Sequence, residues 1–316
     1  MKRTLLATFI LAVVSSVMAA DYTVAPQVRG EIRPPDQQWQ RKIESLAPKK
    51  PTAQPEGPRK VLVFSLSTGY KHQVAPHVSA IIKILGIKTG AFEVTSSDDV
   101  EVFTEERLEG FDAIVLNNVC PTGPGRDLFV DVLNDPDRAR ELEANLLKCV
   151  EKGTGLVAIH GSIAFQNNST AVSDMLGGSF DFHPKRQGVT LDLVEPSHPL
   201  VAAFEGKGFL HEDEPYLFKN AYKQKNFRPL LEMDVSKLDE KTRSNPSVVS
   251  DVRYVAWVKR HGKGRVFYCG PSHQPESYET TAMLRFLLDG IQYALGDLRC
   301  DDSPTTNRNP IAEKAK

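Results

Sequence analysis

Three histidines follow the ends of short apolar segments, at positions where a side chain can do acid–base or metal chemistry. They are His72, His160 and His273. A neutral imidazole near physiological pH can take up a proton or ligate a metal ion. The three side chains could hold one divalent metal, with zinc the best suited ion, or two of them could transfer protons without a metal. Both chemistries remain open from the sequence, with His160 and His273 as the predicted catalytic pair.

An acidic cluster inside an apolar segment is the second candidate for chemistry. Residues 212–214 read Glu-Asp-Glu within the apolar surroundings of residues 209–218. Burial beside apolar side chains raises the pKa of a carboxyl group toward values that suit acid–base catalysis. We predict Asp213 to be a catalytic carboxylate, and either Asp213 or Glu214 to be an oxygen ligand if a metal is bound. Tyr216 is expected to stack on a sugar ring or to pack in the core.

Other loop residues are predicted to contact a small-molecule substrate, because they follow predicted strands or lie beside one. A polar rim that only binds the ligand is the alternative to a catalytic site here. The predicted substrate-binding residues are Gly69, Tyr70, His72, Asn118, Ser162, His183 and Tyr216.

The elements that must position these residues alternate along the chain between apolar runs and amphipathic stretches. Continuous apolar runs are typical of buried parallel strands, and amphipathic crossovers are typical of helices. The pattern predicts an α/β domain with three layers and a mainly parallel central sheet, which binds ligands at the carboxyl ends of its strands. The predicted strands are residues 60–66, 92–96, 111–117, 155–159, 189–194, 227–233, 254–258 and 265–269, and the predicted helices are 74–85, 138–152 and 280–295.

The segment GLVAIHGS has the form of a nucleophile elbow, in which a strand runs into a sharp turn that displays one side chain above the sheet. The displayed residue would be His160. An imidazole at this position can move a proton or ligate a metal, but it does not supply a thiolate nucleophile.

Four segments resemble the trehalose-utilisation, ThuA-like family: FSLSTGYKH, GTGLVAIHGS, HEDEPYLF and GRVFYCGPSHQPESYETTAMLRFLLDGIQYALGD. The resemblance covers about residues 59 to 297 and implies a fold like that of class I glutamine amidotransferases, a flavodoxin-like architecture. In those enzymes the last strand and its loop supply a histidine and a glutamate, which implies roles for His273 and Glu276. His160 stands where a glutaminase has its cysteine, so glutamine hydrolysis is not expected.

The resemblance also implies a substrate class. It points to an enzyme acting on oxidised disaccharides or glycosides, such as 3-keto sugars made by a partner sugar dehydrogenase. A 3-keto group acidifies the hydrogen on C2, so a base and a group that polarises the ketone could drive isomerisation, elimination or hydrolysis.

Two other functions remain open. A serine hydrolase could use Ser162, Asp213 and His273, whose order along the chain is that of α/β-hydrolases. The chain could also be a carbohydrate-binding module without catalytic activity.

Composition excludes several partners. The chain has 39 Lys and Arg against 40 Asp and Glu, a formal net charge of -1, which gives no electrostatic reason to expect nucleic acid or an anionic membrane. No glycine-rich phosphate loop follows the first predicted strand, so a nucleotide cofactor is not expected. The 4 cysteines are too few and too widely spaced for a disulfide scaffold.

The two ends of the chain differ in composition from the middle. Residues 1–20 have a basic start, a short apolar run and small residues at the end, the pattern of a secretory signal peptide rather than a membrane span. Residues 21–58 are proline-rich and predict an extended linker, in which the spacing of Trp39, Ile43 and Leu46 indicates one or two helical turns that could dock on the domain. Residues 298–316 predict a polar tail. We therefore expect an exported protein, periplasmic or secreted, with one α/β domain over residues 59–297 and no membrane span.

Overall fold

The computed structural model describes residues 32–123, 125–246, 248 and 253–305. The predicted signal peptide lies outside the described residues, as do linker residues 21–31 and tail residues 306–316. The helices are α1 Gln37–Leu46, α2 Ala75–Thr89, α3 Glu105–Leu108, α4 Leu128–Leu133, α5 Pro136–Lys152, α6 Thr170–Leu176, α7 Glu240–Arg243 and α8 Thr281–Leu295. The strands are β1 Lys60–Phe64, β2 Glu93–Ser97, β3 Ala113–Asn117, β4 Gly155–Ile159, β5 Ser179–Phe182, β6 Gln187–Leu193, β7 Phe209–Asp213, β8 Leu217–Lys219, β9 Arg228–Met233, β10 Tyr254–His261 and β11 Gly264–Cys269.

A mixed sheet runs through the middle of the fold in the order β2-β1-β3-β4-β11-β10-β9-β6-β7. The pairs from β2 to β11 are all parallel, and the pairs from β11 to β7 are all antiparallel. Strands β3 and β4 are buried along their whole length, as expected of parallel strands covered on both faces. The predicted α/β class is confirmed. The antiparallel strands continue the same sheet beyond its parallel half.

Helices form two groups around this sheet. One group consists of α1, α2 and α8, and the other of α3, α4, α5 and α6, with both α8 and α5 in contact with β11. Local sequence sets the ends of α5: the Asp135 side chain accepts hydrogen bonds from the first-turn N–H groups, and Gly153 ends the helix. The arrangement is the three-layer architecture that the pattern of runs predicts.

The region between β4 and β10 is more structured than the sequence predicts. Residues 195–225 read as an irregular stretch, yet they contain β7 and β8. Strand β8 pairs antiparallel with β5 in a separate two-stranded sheet, while β7 joins the edge of the main sheet. The chain between β7 and β8 is therefore held at both ends by strand pairing.

The segment before β1 differs from the predicted extended linker. Helix α1 packs against α2, and Ile43 is fully buried between them. Further along, Thr52 hydrogen-bonds through its hydroxyl to Asp289 and through its N–H to Gln292, both on α8. Proline density indicates only an extended linker, whereas the spacing of Trp39, Ile43 and Leu46 on one helix face indicates the helix that the structure contains.

The predicted polar tail also begins later than expected. Leu298 is buried, Asp301 pairs with Arg228, and Asp302 accepts a hydrogen bond from Tyr293. Within the described part of the chain, every helix is too short or too polar to cross a bilayer.

Candidate functional site

Three histidines meet at the carboxyl edge of the parallel strands. His72 follows β1, His160 follows β4, and His273 follows β11. Their ring centroids lie 5.1 Å, 5.2 Å and 5.1 Å apart, so the three imidazoles form a nearly regular triangle. All three side chains are buried. The structure thus brings together the histidines that the sequence places after parallel strands.

His160 has the backbone of an elbow residue. Its φ is 46°, a left-handed conformation that is uncommon for a side chain of this size. Its Nδ1 lies 2.8 Å from the carbonyl oxygen of Gly270, and since a carbonyl only accepts, Nδ1 carries the proton. In the neutral ring the lone pair is then on Nε2, which lies 3.0 Å from Nδ1 of His273, and in the protonated ring Nε2 carries the proton that Glu214 can accept.

Gly161 makes the close approach of His72 possible. A Cβ atom at this glycine would lie 2.4 Å from Cε1 of His72 and 3.1 Å from each of its ring nitrogens. Any larger residue would therefore displace the His72 ring from the cluster. The position of the His72 ring therefore requires a glycine at residue 161.

Glu214 is the carboxylate at the centre of the histidines. Its Oε2 lies 3.5 Å from Nε2 of His160, 3.2 Å from Nδ1 of His273 and 3.6 Å from Nε2 of His183. Burial would raise the pKa of Glu214, but the hydrogen bonds with His160 and His273 outweigh it and hold that pKa far below the ordinary value. Burial would likewise lower the pKa of His160, and the bond to Glu214 raises it.

His72 remains neutral. Burial, followed by the charges of His160 and His273, holds the pKa of His72 well below its ordinary value. Its Nδ1 is buried without a hydrogen-bond partner among the described residues. A buried nitrogen without a partner is costly unless something else, such as a metal or a bound water, satisfies it.

The donor atoms of His160, His273 and Glu214 have the spacing of a tetrahedral metal site, and His72 is the fourth candidate ligand. His72, His160, His273 and Glu214 each offer one ligand atom, all within 4.8 Å of one another. Zinc bonds of about 2.0–2.1 Å at tetrahedral angles place the ligand atoms about 3.3 Å apart. The separations among the donors of His160, His273 and Glu214 are 3.0 Å, 3.2 Å and 3.5 Å. Three nitrogens and one oxygen form a donor set that zinc accepts.

Aromatic rings surround the cluster and fix its outer wall. Tyr70 stacks at 6.0 Å on His273, and Tyr216 lies 4.3 Å from His160. The other face of Tyr216 is covered by His183, which stacks on it at 5.2 Å. Tyr216 therefore packs in the wall and is not free to stack on a sugar. His183, with 33% of its side chain exposed, lies at the mouth of the site.

Asp213 binds the loop that carries His273, and its Oδ2 lies 3.4 Å from Nε2 of His211, a supporting position rather than the catalytic one that the sequence predicts. Its Oδ2 accepts the backbone N–H of Ser272 at 2.6 Å, and its Oδ1 accepts the backbone N–H of His273 at 3.2 Å. Ser272 has a φ of 109°, so these bonds hold a strained loop in place. Asp213 is the last residue of β7 and Glu214 is the first residue after it, and the Glu214 side chain reaches the cluster.

Two further predictions are corrected by the structure. The Ser162 hydroxyl is fully buried, donates to the carbonyl of Leu116 and accepts from the N–H of Val119. It is neither accessible to substrate nor bonded to His273, so the serine hydrolase hypothesis loses its nucleophile. Glu276 is exposed in the short helical turn Pro275–Tyr278 between His273 and α8, unlike the buried cluster histidines, so the structure gives no support for its catalytic role.

The remaining predicted contacts have structural duties. Gly69 donates its N–H to the carbonyl of Cys120, and a Cβ at this position would lie 2.5 Å from the carbonyl oxygen of Pro121. Asn118 is buried, and its Oδ1 has no hydrogen-bond partner among the described residues. Both residues shape the rim of the site, and neither contacts the histidine cluster in the structure.

Arg126 near the mouth was not predicted from the sequence, and Glu214 was predicted only as an alternative metal ligand. Glu214 belongs to an acidic run that is typical of a solvated loop. Its position depends on the pairing of β7 with β6 and of β8 with β5, which the periodicity of the sequence did not predict. In the sequence Arg126 follows Pro124 and Gly125, and no local pattern marks it as a functional residue. The apolar residues after Glu214 were the sequence signal that this carboxylate is partly buried.

Comparisons with known proteins agree with this architecture. A family model described as ThuA, trehalose utilisation, matches residues 60–294. A ThuA-like protein from Bacteroides uniformis has a similar fold, with a TM-score of 0.57 and 16% identity, over 76% of this chain and 92% of that one. A ThuA-like protein from Parabacteroides merdae matches with a TM-score of 0.57 and 16% identity, over 79% of this chain and 93% of that one. No curated protein matches the sequence.

Proposed function

The chain belongs to the ThuA family of trehalose utilisation, and on that premise we propose that it is an enzyme acting on oxidised, 3-keto disaccharides or glycosides with the help of a bound divalent metal. His72, His160, His273 and Glu214 would hold the ion, and zinc is the expected one. The observation that carries the proposal is the tetrahedral spacing among donors of His160, His273 and Glu214.

The ligand geometry is supported by a second set of contacts. A metal-binding histidine usually donates its other ring N–H to a carbonyl or carboxylate, which fixes the tautomer. His160 does this through Nδ1 to Gly270, leaving Nε2 for the ion. Asp213 supports His273 in a different way, by binding the backbone of its loop.

The substrate chemistry follows from the acidity of a keto sugar. Removal of the C2 proton leaves a negative charge that develops on the C3 oxygen. An ion held by the four candidate ligands would polarise that ketone and stabilise that charge. The chain must then provide a base close to the ion but not bound to it.

We propose His183 as this base. Its Nδ1 lies 2.9 Å from the carbonyl oxygen of Pro184, so Nδ1 carries the proton and Nε2 has the lone pair. Nε2 faces the mouth beside Glu214, and the ring is partly exposed. His183 can therefore accept the C2 proton through Nε2 and return it to the neighbouring carbon or to a leaving oxygen.

The first experiment combines metal analysis with proton exchange. The full-length protein, purified without added ions, is expected to contain about one divalent ion per chain. It should exchange the C2 proton of a methyl 3-keto-glucoside with deuterium from the solvent. His160→Ala should lose both the ion and the exchange. Absence of metal and of exchange in the unsubstituted protein would refute the proposal.

The matched control is His261→Gln. His261 ends β10 opposite Gly264, at the far edge of the sheet from the site. This variant should retain metal and exchange, whereas a general loss in both variants would indicate unfolding.

His183→Gln separates the base from the ion. It should lower the exchange rate on the order of 100-fold to 10,000-fold, as expected for loss of a general base, with an unchanged metal content. A variant that retains both metal and rate would remove His183 from the mechanism. If the unsubstituted protein binds metal and keto sugar without any turnover, the chain is a carbohydrate-binding module instead.

Export and pathway are part of the same proposal. The leader-like residues 1–20 support export to the periplasm or medium, and a 3-keto sugar has to be supplied by a sugar dehydrogenase. N-terminal sequencing of the protein from cell fractions of the native host tests the first point. A protein retained in the cytoplasm with residues 1–20 intact would refute export.

A further inference from the structure

One arginine lies at the mouth of the site without an acidic partner. Arg126 is partly buried, and its contacts are the face of Phe180, 4.9 Å from the guanidinium carbon, and the Cys120 sulfur, 3.8 Å from Nη1. No carboxylate among the described residues forms an ion pair with it. The neighbouring Asp127 is engaged by the N–H of Val130 and by other side chains.

The aromatic wall connects Arg126 to the histidine cluster. Phe180, which lies under the guanidinium, is 5.1 Å from Tyr216, and Tyr216 is 4.3 Å from His160. Phe180 is also 5.9 Å from His183. Arg126 is thus two aromatic rings away from His160, on the side of the mouth where His183 is exposed.

The backbone holds the guanidinium in this place. Arg126 has a φ of 48°, and its carbonyl accepts the N–H of Asn167. Strained conformations of this kind persist where the surrounding structure enforces them, often at ligand sites. Arg186, a second arginine near the mouth, differs because it pairs at 3.0 Å with Glu212 and is exposed.

We infer that Arg126 determines specificity by binding an anionic oxygen group of the substrate, a carboxylate or a phosphate monoester, while the reacting carbon lies at the histidine cluster. A guanidinium offers a planar fork of N–H donors that matches both groups. Its present partners, a thiol and a ring face, leave most of these donors unused. The inference rests on the proposed function, since it extends the sugar substrate to an acidic sugar.

Binding of three matched probes to the full-length, metal-loaded protein tests the inference. The probes are methyl glucoside, methyl glucuronide and methyl glucoside 6-phosphate, which differ only at C6. Calorimetry should show at least one acidic probe binding on the order of tenfold or more tightly than the neutral one, as a charge-assisted bidentate contact implies. Whichever acid is preferred identifies the anionic group.

Arg126→Gln should abolish this preference and leave affinity for the neutral probe and metal content unchanged. Arg186→Gln is the control and should retain the preference. Equal affinity for neutral and acidic probes, or no binding of any probe, in the unsubstituted protein would overturn the inference. So would an equal loss for all probes in Arg126→Gln.

The outcomes distinguish this inference from the proposed function. A protein that exchanges the C2 proton of a neutral keto-glucoside but shows no preference for acids retains the function and loses the role of Arg126. A protein with an Arg126-dependent preference for acids but without metal or exchange retains the role of Arg126 and loses the function.

Discussion

The parallel and antiparallel halves of the sheet contribute to the site in different ways. Strands β1, β4 and β11 of the parallel half end at one edge and deliver His72, His160 and His273 there. The antiparallel half and the β5–β8 sheet deliver Glu214, Tyr216 and His183 from the side. The first set follows from a rule about parallel sheets. The second set depends on which strands pair with each other over long sequence separations.

This difference indicates how the cluster acquires its chemistry. The parallel half supplies the nitrogen donors, and His72 among them is held uncharged by burial and by its neighbours. The other half adds the one carboxylate, which stays ionised because His160 and His273 hydrogen-bond to it. A metal site with charge balance therefore requires both halves, and substitutions in each half should fail in different ways.

The largest effect is expected from Glu214→Gln. The change removes the only carboxylate donor of the cluster and leaves buried histidines without a counter-charge. Metal affinity should fall on the order of 100-fold or more, with a comparable loss of proton exchange. Equilibrium titration with zinc and the exchange assay measure both.

Glu212→Gln is the matched control for this change. Glu212 is exposed on β7 two residues earlier and pairs with Arg186, so it should behave like the unsubstituted protein. Equal effects in both variants would indicate a general charge effect and would break the distinction between the two halves.

The sequence predicted the parallel half and also β6, β9 and β10, but it missed β5, β7 and β8, for physical reasons. Buried parallel strands such as β4 consist of apolar residues alone, and each ends at a polar turn, so both the element and its functional histidine can be located. Strand β7 is short, with an acidic end and exposed Leu210, so its local pattern resembles a loop. Asp213 and Glu214 could not be distinguished, because a shift of one residue along a strand reverses the side-chain direction.

A smaller effect is expected from Gly161→Ala in the parallel half. The added methyl would meet the His72 ring at 2.4 Å, so the ring must leave its place while the other ligands remain. Metal affinity should fall on the order of 10-fold to 100-fold, less than for Glu214→Gln. Gly57→Ala is the control, because a Cβ there has nothing within 4 Å. A zinc affinity unchanged in Gly161→Ala would exclude His72 as a ligand.

Asp213→Asn tests how the two halves are joined. An amide cannot accept through both atoms, so one of the N–H groups of Ser272 and His273 loses its partner, at a cost of about 1–3 kcal/mol. If the loop positions His273, metal affinity should fall about 10-fold along with the melting temperature. Exposed Asp181→Asn should change neither quantity. A lower melting temperature with unchanged metal affinity would give Asp213 a purely structural role.

The smallest effect on the site is expected on the far side of the parallel half, at Asp289 of α8. Burial raises the pKa of Asp289 from 3.8 to about 6, in spite of the hydrogen bond from Thr52 and the charge of Arg285. The folded state thus binds this proton more tightly than the unfolded state. The stability that this group contributes is therefore present below about pH 4 and lost as the pH rises through about 6.

Asp289→Asn should remove that dependence. The variant and the unsubstituted protein should be equally stable near pH 4, and above pH 6 the variant should be more stable by about 2–3 kcal/mol. Denaturant unfolding at the two pH values measures the difference, and metal content and exchange should not change. A stability gain of the same size at both pH values would exclude ionisation as its cause. A loss of metal would show that the contact between Thr52 and Asp289 is coupled to the metal site, although we expect the two to be independent.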